Sequence, residues 1–261
     1  MVTAIIPAAG QGKRMMAGVN KVFLELSGKP ILLHTVAKFS ACPSVDRLVV
    51  VVAEDEIVFI RRLLRGIPNL KPLEVVAGGS ERQYSIANGL KAMNPDTEYV
   101  IVHDGARPLV SRETIDQVIE TAKMEGAAVA AVPEKNTVKV IDDNNQVVST
   151  PKRSTIWEIQ TPQAFKRSII ERAYKQAETE GFLGTDDASL VERLGVPVKV
   201  VMSDYQNIKI TTPEDLLIGE AFLREKRLAQ AKEGVSSLID GLADRVRHHH
   251  RLLDEPVGSE E

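Results

Sequence analysis

The segment from Pro7 to Lys21 of this 261-residue chain holds three cations (Lys13, Arg14 and Lys21), three glycines and no acidic residue. The chain as a whole carries a net charge of −3, so this is a local excess. Glycines let backbone N–H groups approach an anion closely, and cations beside them add charge, so the chemistry within reach is phosphate binding. Two familiar phosphate motifs do not fit. A Walker loop needs Ser or Thr after Gly-Lys, and Gly12-Lys13 is followed by Arg14. A dinucleotide fingerprint needs a third glycine where Met15 stands.

A second group is His103-Asp104-Gly105-Ala106-Arg107-Pro108. An aspartate at the end of a strand can ligate Mg²⁺ while a nearby arginine holds another anion. The polar run Gly78-Gly79-Ser80-Glu81-Arg82, with Ser85 beyond it, is a third. Lys209 lies in Asn207-Ile208-Lys209-Ile210, read as a short strand, where it either faces an anion or faces solvent. Arg153, Thr161 and Thr185-Asp186 are further polar positions. Trp157 reads as a packing residue, and Cys42 as structural. His103 and His34 have no partners spaced as in a nucleophilic triad.

These residues need a scaffold, and the chain alternates short β-branched runs with helical stretches, as in a doubly wound, mostly parallel sheet. Expected strands are 2–6, 47–52, 73–76, 99–102, 127–132, 197–201 and 207–210. Expected helices are 30–40, 54–65, about 80–93, 111–125, 166–180, one after Thr185, and about 213–232. Ser80 and Gln83 form a capping-box pattern, and Ser111 is an N-cap. The rhythm breaks at Pro133: 137–141 and 146–150 flank Asp142-Asp143-Asn144-Asn145 and predict a protruding β-hairpin arm. In an open α/β sheet, loops at the carboxyl ends of strands converge on the ligand, which would gather the first three groups.

Composition narrows the class. Apolar residues make up 43% and charged residues 26%, as in ordinary globular proteins. Apolar runs such as 48–53 fall far short of the roughly 18 residues of a membrane span. No basic region precedes the first apolar run, so no secretory signal is expected and the cytoplasm is the expected compartment. One cysteine excludes an internal disulfide. The acidic balance, with pI near 6.0, argues against bulk nucleic-acid or anionic-membrane binding. One domain over 1–232, with its arm at about 134–155, and a tail over 233–261 are expected; His248-His249-His250 reads as part of a solvated tail.

The ordered set of motifs resembles the 2-C-methyl-D-erythritol 4-phosphate cytidylyltransferases of the non-mevalonate isoprenoid pathway. The resemblance covers about 2–225 and rests on Pro-Ala-Ala-Gly-x-Gly-x-Arg (Pro7 to Arg14), Lys21, Gly78-Gly79 with Arg82 and Ser85, and His103 to Pro108. It continues through Thr137, Arg153, Thr161-Pro162-Gln163, Thr185-Asp186 and Asn207-Ile208-Lys209. It implies a nucleotidyltransferase fold, Rossmann-like, whose arm exchanges with a second subunit of a homodimer. By resemblance, Ala8, Ala9, Gly10 and Gly12 cradle CTP, Arg14 and Lys21 meet its phosphates, and Gly79, Ser80 and Ser85 face cytosine. Gly105 lies beside the nucleotide, and Asp104 is the expected Mg²⁺ ligand. Asp104, Arg107, Thr137, Thr161, Thr185 and Lys209 border the methylerythritol phosphate or reacting centre, and Arg153 arrives from the partner's arm.

Two positions depart from the commoner pattern: Ser80 replaces a frequent acid, and Asn20 stands where proline is usual before Lys21. The implied reaction is in-line attack of a substrate phosphate oxygen on the α-phosphorus of CTP. That nucleophile is already an anion, so no general base is needed. Ribitol 5-phosphate cytidylyltransferases share fold and mechanism but tend to carry a bulkier residue at the position of Ala106. A non-catalytic nucleotide-binding protein on this fold is the reading from another class.

Overall fold

The computed structural model describes residues 1–10, 20–229 and 231–232. The phosphate-loop residues Gly12 and Arg14, and the tail with its three histidines, therefore lie outside the described residues. Contacts divide the chain into a unit Met1–Gly219 and a second unit Glu220–Glu261. A helix starts at 213 in the first unit, and 220–229 of the second is helical.

The first unit runs β1 (Val2–Pro7), β2 (Glu25–Leu26), β3 (Lys29–Pro30), α1 (Ile31–Ala41), β4 (Arg47–Val52), α2 (Ile57–Leu64), β5 (Leu73–Ala77), α3 (Arg82–Lys91) and β6 (Tyr99–Val102). It continues with α4 (Arg112–Glu125), β7 (Ala127–Pro133), β8 (Val140–Ile141), β9 (Val147–Ser149), β10 (Trp157–Lys166), α5 (Arg167–Glu180), α6 (Asp187–Arg193) and β11 (Lys199–Met202). Seven strands form the main sheet in the order β11-β7-β10-β6-β1-β4-β5. Neighbours pair in parallel except around β10, which is antiparallel to both β6 and β7.

Helices cover both faces, and this explains the unbroken valines. Along β4, Leu48, Val50 and Val52 face one apolar cluster, with Val36 and Phe39 of α1 and Ile115 of α4. Val49 and Val51 face the other, with Ile86 of α3, Ile170 of α5 and Val191 of α6. A strand with period-two side chains and helices on both sides must be apolar at every position. Each such buried side chain contributes roughly 1.5–3 kcal/mol against exposure. Ser111 caps α4 as expected, its hydroxyl accepting from Thr114 N at 3.1 Å.

Three expectations change. Trp157–Lys166, which is not among the expected strands, is a strand of ten residues inserted between β7 and β6. Its Pro162 has no N–H to give a ladder, and its pairing with β7 shifts register between Ile159 and Gln163. Residues 207–210 form no strand; Ile210 N instead donates to Ala106 O at 2.8 Å, stapling this segment beside β6. Ser80 and Gln83 make no capping box. The α3 N-cap is Glu81 without a side-chain bond, and Gln83 bridges to Phe182 O and Gly184 N, both at 2.9 Å. The arm is a small antiparallel sheet, β8 with β9, shorter than the sequence pattern and exposed throughout.

Candidate active site

The strand order reverses beside β1: the chain goes outward to β4 and β5 on one side and to β6 on the other. Such a switch point opens a crevice at the carboxyl ends of the strands. A cleft of about 760 Å³ lies there, a size suited to a nucleotide. Ala8, Ala9 and Gly10 line it after β1, Gly78 to Arg82 and Ser85 after β5, and Asp104, Gly105 and Ala106 after β6; Lys209 closes the far side. The loops touch because they lack side chains: a Cβ on Gly78 would fall 2.6 Å from that of Ala9, and one on Gly79 would fall 2.5 Å from Tyr84. Gly105 N donates to Pro7 O at 3.1 Å, joining the β6 loop to the end of β1.

Asp104 is the electrostatic centre. Its Oδ2 lies 2.8 Å from Lys209 Nζ and 3.8 Å from Arg107 Nε, and its Oδ1 lies 3.3 Å from Arg82 Nε. Burial alone would raise its pKa, but the charges of Arg82, Lys209 and Arg107 pull it well below the usual carboxylate range. Arg82 also reaches the fully buried Asp187, Nη2 to Oδ2 at 2.8 Å. Burial would weaken its charge, yet the two aspartates raise its pKa above the ordinary arginine value. Three cations thus surround two carboxylates, and Lys209 keeps 37% of its side chain exposed.

His103 is fully buried behind this centre. Thr161 Oγ1 accepts from Asp104 N at 3.0 Å, so its hydroxyl proton is free for His103 Nδ1 at 3.2 Å. His103 Nε2 then donates to Arg107 O at 3.0 Å. Burial pushes its pKa down to about 4, so the ring is neutral at physiological pH and both nitrogens are occupied. It holds the backbone around Asp104 and Arg107.

The expected site residues divide clearly. Ala8, Ala9, Gly10, Gly79, Ser80, Ser85, Asp104, Gly105 and Lys209 line one cleft. Ser85 Oγ is spent internally, accepting from Gly79 N at 3.1 Å and donating to Glu81 O at 3.0 Å, so it shapes the glycine turn. Arg107 and Thr161 stand behind Asp104; Arg107 Nη1 donates to Asn207 O at 2.6 Å. Thr137, Arg153 and Thr185 are exposed and do not line the cleft. Arg153 Nη1 instead donates to Lys135 O at 3.2 Å. Lys21 opens a short 3₁₀ turn, Lys21–Phe23. The turn is anchored by Asn20, whose Nδ2 donates to Ala8 O at 2.9 Å and to Glu56 Oε1 at 3.3 Å. The rigidity that proline would give is here supplied by a side-chain clasp.

The expectation of Asp104 as a metal ligand fits poorly. Both its oxygens are engaged by cations, so a divalent ion would displace Lys209 and sit among like charges. Among the described residues, no group of three His, Cys, Asp or Glu could hold a metal. The sequence reading also missed the role of Arg82 as a bridge and missed Asp187 and Tyr174 entirely; Arg82 stood in the quoted motif, while the other two carry no spacing signal.

With this geometry in view, comparison with known proteins is decisive. The family model for 2-C-methyl-D-erythritol 4-phosphate cytidylyltransferase matches residues 2–225. The chain belongs to that family. A family protein of Bacillus licheniformis is 50% identical over 224 residues, 85% of this chain and 96% of that protein. One from Geotalea uraniireducens is 51% identical over 226 residues, covering 85% and 97%. The crystal structure of 4-diphosphocytidyl-2C-methyl-D-erythritol synthase from Anaerococcus prevotii superimposes with a TM-score of 0.78 at 35% identity, over 86% of this chain and 96% of that one. The expected family and its nucleotidyltransferase-like α/β fold are thereby borne out.

Proposed function

We propose that this chain transfers CMP from CTP to 2-C-methyl-D-erythritol 4-phosphate, giving 4-diphosphocytidyl-2-C-methyl-D-erythritol and pyrophosphate. The observation that carries the reading is the switch-point cleft with a surplus of positive charge around Asp104 and Lys209. Two anions must meet for the reaction to proceed, and preorganised cations lower that barrier.

In this reading the Ala8-Ala9-Gly10 end of the first loop and Gly12 cradle the triphosphate, and Arg14 and Lys21 neutralise it. Gly79 and Ser80 border the base, and Gly105 gives the nucleotide room beside β1. Lys209 holds the sugar phosphate so that its oxygen attacks the α-phosphorus in line, and Arg107, behind Asp104 at 3.8 Å, adds positive charge to the substrate's surroundings. Asp104 orients these cations and takes no proton, because the nucleophile is already ionised. Thr161 supports Asp104, and Thr185 borders the substrate.

Magnesium is assigned on charge grounds to the triphosphate rather than to Asp104, where Arg82 and Lys209 occupy both oxygens. The arm over 134–155 leaves Val140, Ile141, Val147 and Val148 exposed, and this apolar surface supports a homodimer in which Thr137 and Arg153 of one chain complete the other's site. Among the described residues no helix is long and apolar enough to cross a membrane. The phosphorylated substrates call for an aqueous compartment, and we assign the cytoplasm.

Pyrophosphate release with CTP and Mg²⁺ tests this directly, with methylerythritol phosphate and ribitol 5-phosphate compared side by side. Release with the first alone is expected. Release with ribitol phosphate alone would overturn the substrate while keeping the nucleotide chemistry. Silence with both, from folded protein that binds CTP, would leave a non-catalytic nucleotide binder.

A further inference from the structure

We infer that Asp187 and Tyr174 are positioning residues for this reaction, setting the Asp104–Lys209 pair through Arg82. The inference rests on the cytidylyl-transfer reading for the identity of the substrates, but its geometry stands apart from it. Four elements meet in one line of contacts. Tyr174 of α5 donates its hydroxyl to Asp187 Oδ1 at 2.5 Å. Asp187, the first residue of α6 and 0% exposed, holds Arg82 Nη2 with its other oxygen at 2.8 Å. Arg82, the first residue of α3, turns its Nε to Asp104 Oδ1 at 3.3 Å. Asp104 is left with Oδ2 for Lys209 Nζ at 2.8 Å.

The planar guanidinium makes this more than a run of ion pairs. Its donors are fixed in a fork, so anchoring Nη2 on a buried carboxylate dictates where Nε points. With Nε on Oδ1, the plane of the Asp104 carboxylate is fixed and Oδ2 is presented to the lysine that faces the cleft. Asp187 itself cannot turn, because its other oxygen is taken by Tyr174. A buried carboxylate paired with a partly exposed arginine is seldom a net gain in stability over an apolar pair, which leaves positioning as the reason to keep it. Remove Asp187, and Arg82 is free to lean fully onto Asp104 or towards the triphosphate, releasing Lys209 from its place.

The test uses full-length protein and two readouts. Steady-state pyrophosphate release from CTP and methylerythritol phosphate is measured for wild type, Asp187→Asn, Tyr174→Phe, Arg82→Gln and the Asp187→Asn/Arg82→Gln double variant. With each variant assayed well below its own melting temperature, which the loss of buried bonds lowers, we expect kcat/KM to fall by about ten- to a hundredfold in Asp187→Asn and about threefold in Tyr174→Phe. In the Arg82→Gln background the loss from Asp187→Asn should shrink to under about twofold, because the route runs through Arg82. A full additional loss in that background, or wild-type kinetics in both single variants, would overturn the inference.

The second readout needs no turnover. The ammonium ¹⁵N signal of Lys209, assigned by its disappearance in Lys209→Ala, should shift or broaden in Asp187→Asn and in Tyr174→Phe. An unmoved signal in folded variants would overturn the inference too, even were wild type inactive with these substrates and the functional reading lost. Should Asp187→Asn fail to fold, Tyr174→Phe carries both measurements.

Discussion

The Asp104 centre and the β8–β9 arm both hold residues assigned to one site, and they are built in opposite ways. Around Asp104, the charges of Asp104, Arg82, Asp187 and Lys209 pair with one another inside the chain, from the loop after β6, α3, α6 and the Lys209 segment. On the arm, Arg153 Nη1 donates to the backbone carbonyl of Lys135, and Val148 is 65% exposed. On the proposed reading, a single chain supplies the charged cleft and leaves the arm's share of the site to a second chain. On that reading, preorganisation belongs to the first region, where the cost of holding charges is met on folding, and the arm's contribution to sugar-phosphate binding is met on assembly.

The largest effect should come from the finished half. Lys209→Ala is expected to lower kcat/KM by about a hundred- to a thousandfold, the usual range for a preorganised charge at a reacting centre. Steady-state kinetics showing less than a tenfold loss would remove Lys209 from the chemistry. Next comes stability against pH. His103 has a pKa of about 4 in the fold against 6.5 in the unfolded chain, so the unfolded state binds a proton that the folded state refuses. Stability should therefore fall as pH drops from 6.5 towards 4, by about 2 kcal/mol at pH 4.5 from this residue alone. Urea titrations of wild type and His103→Gln at pH 7 and 4.5 would expose it: the variant should lack that share of the slope.

The arm should give a smaller and different signature. Arg153→Ala is expected to raise KM for the sugar phosphate about tenfold while kcat holds, the mark of lost ground-state binding. Val148→Glu should halve the mass seen by sedimentation while circular dichroism shows the fold of the single chain kept, since the side chain is exposed on that chain. A Val148→Glu dimer would blur the contrast between the two regions. The smallest effect belongs to the clasp at the phosphate loop: Asn20→Ala should raise KM for CTP about threefold, through loss of its side-chain bonds to Ala8 O and Glu56. An unchanged KM would mean that the turn at Lys21 holds without it.

Much of this was legible in the residues. The parallel strands announced themselves because a strand buried on both faces must be apolar throughout, as 48–52 and 127–132 are. Loops after β1, β5 and β6 followed from glycines and charges at strand ends. What was hidden depended on contacts distant in sequence. β10 is polar, carries Pro162 and needs a register shift on β7, so no period marked it. Lys209 reaches Asp104 because Ile210 N binds Ala106 O, a contact across more than a hundred residues. Arg82 was visible as a motif residue, but its partner Asp187 stands 105 residues away. Gln83 looked like a cap and serves as a brace to the loop before α6, because tertiary acceptors outcompeted the local one.

Mixing two impaired variants tests the division of labour most directly. Lys209→Ala chains keep an intact arm, and Arg153→Ala chains keep an intact cleft. If each site joins one chain's cleft to the other chain's arm, a mixed dimer holds one wild-type site and one site with both defects. After subunit exchange of equal amounts, pyrophosphate release at sugar phosphate well below KM should recover to about a quarter of the wild-type rate. A rate no greater than the average of the two variants alone would contradict the account and place each site wholly within its own chain.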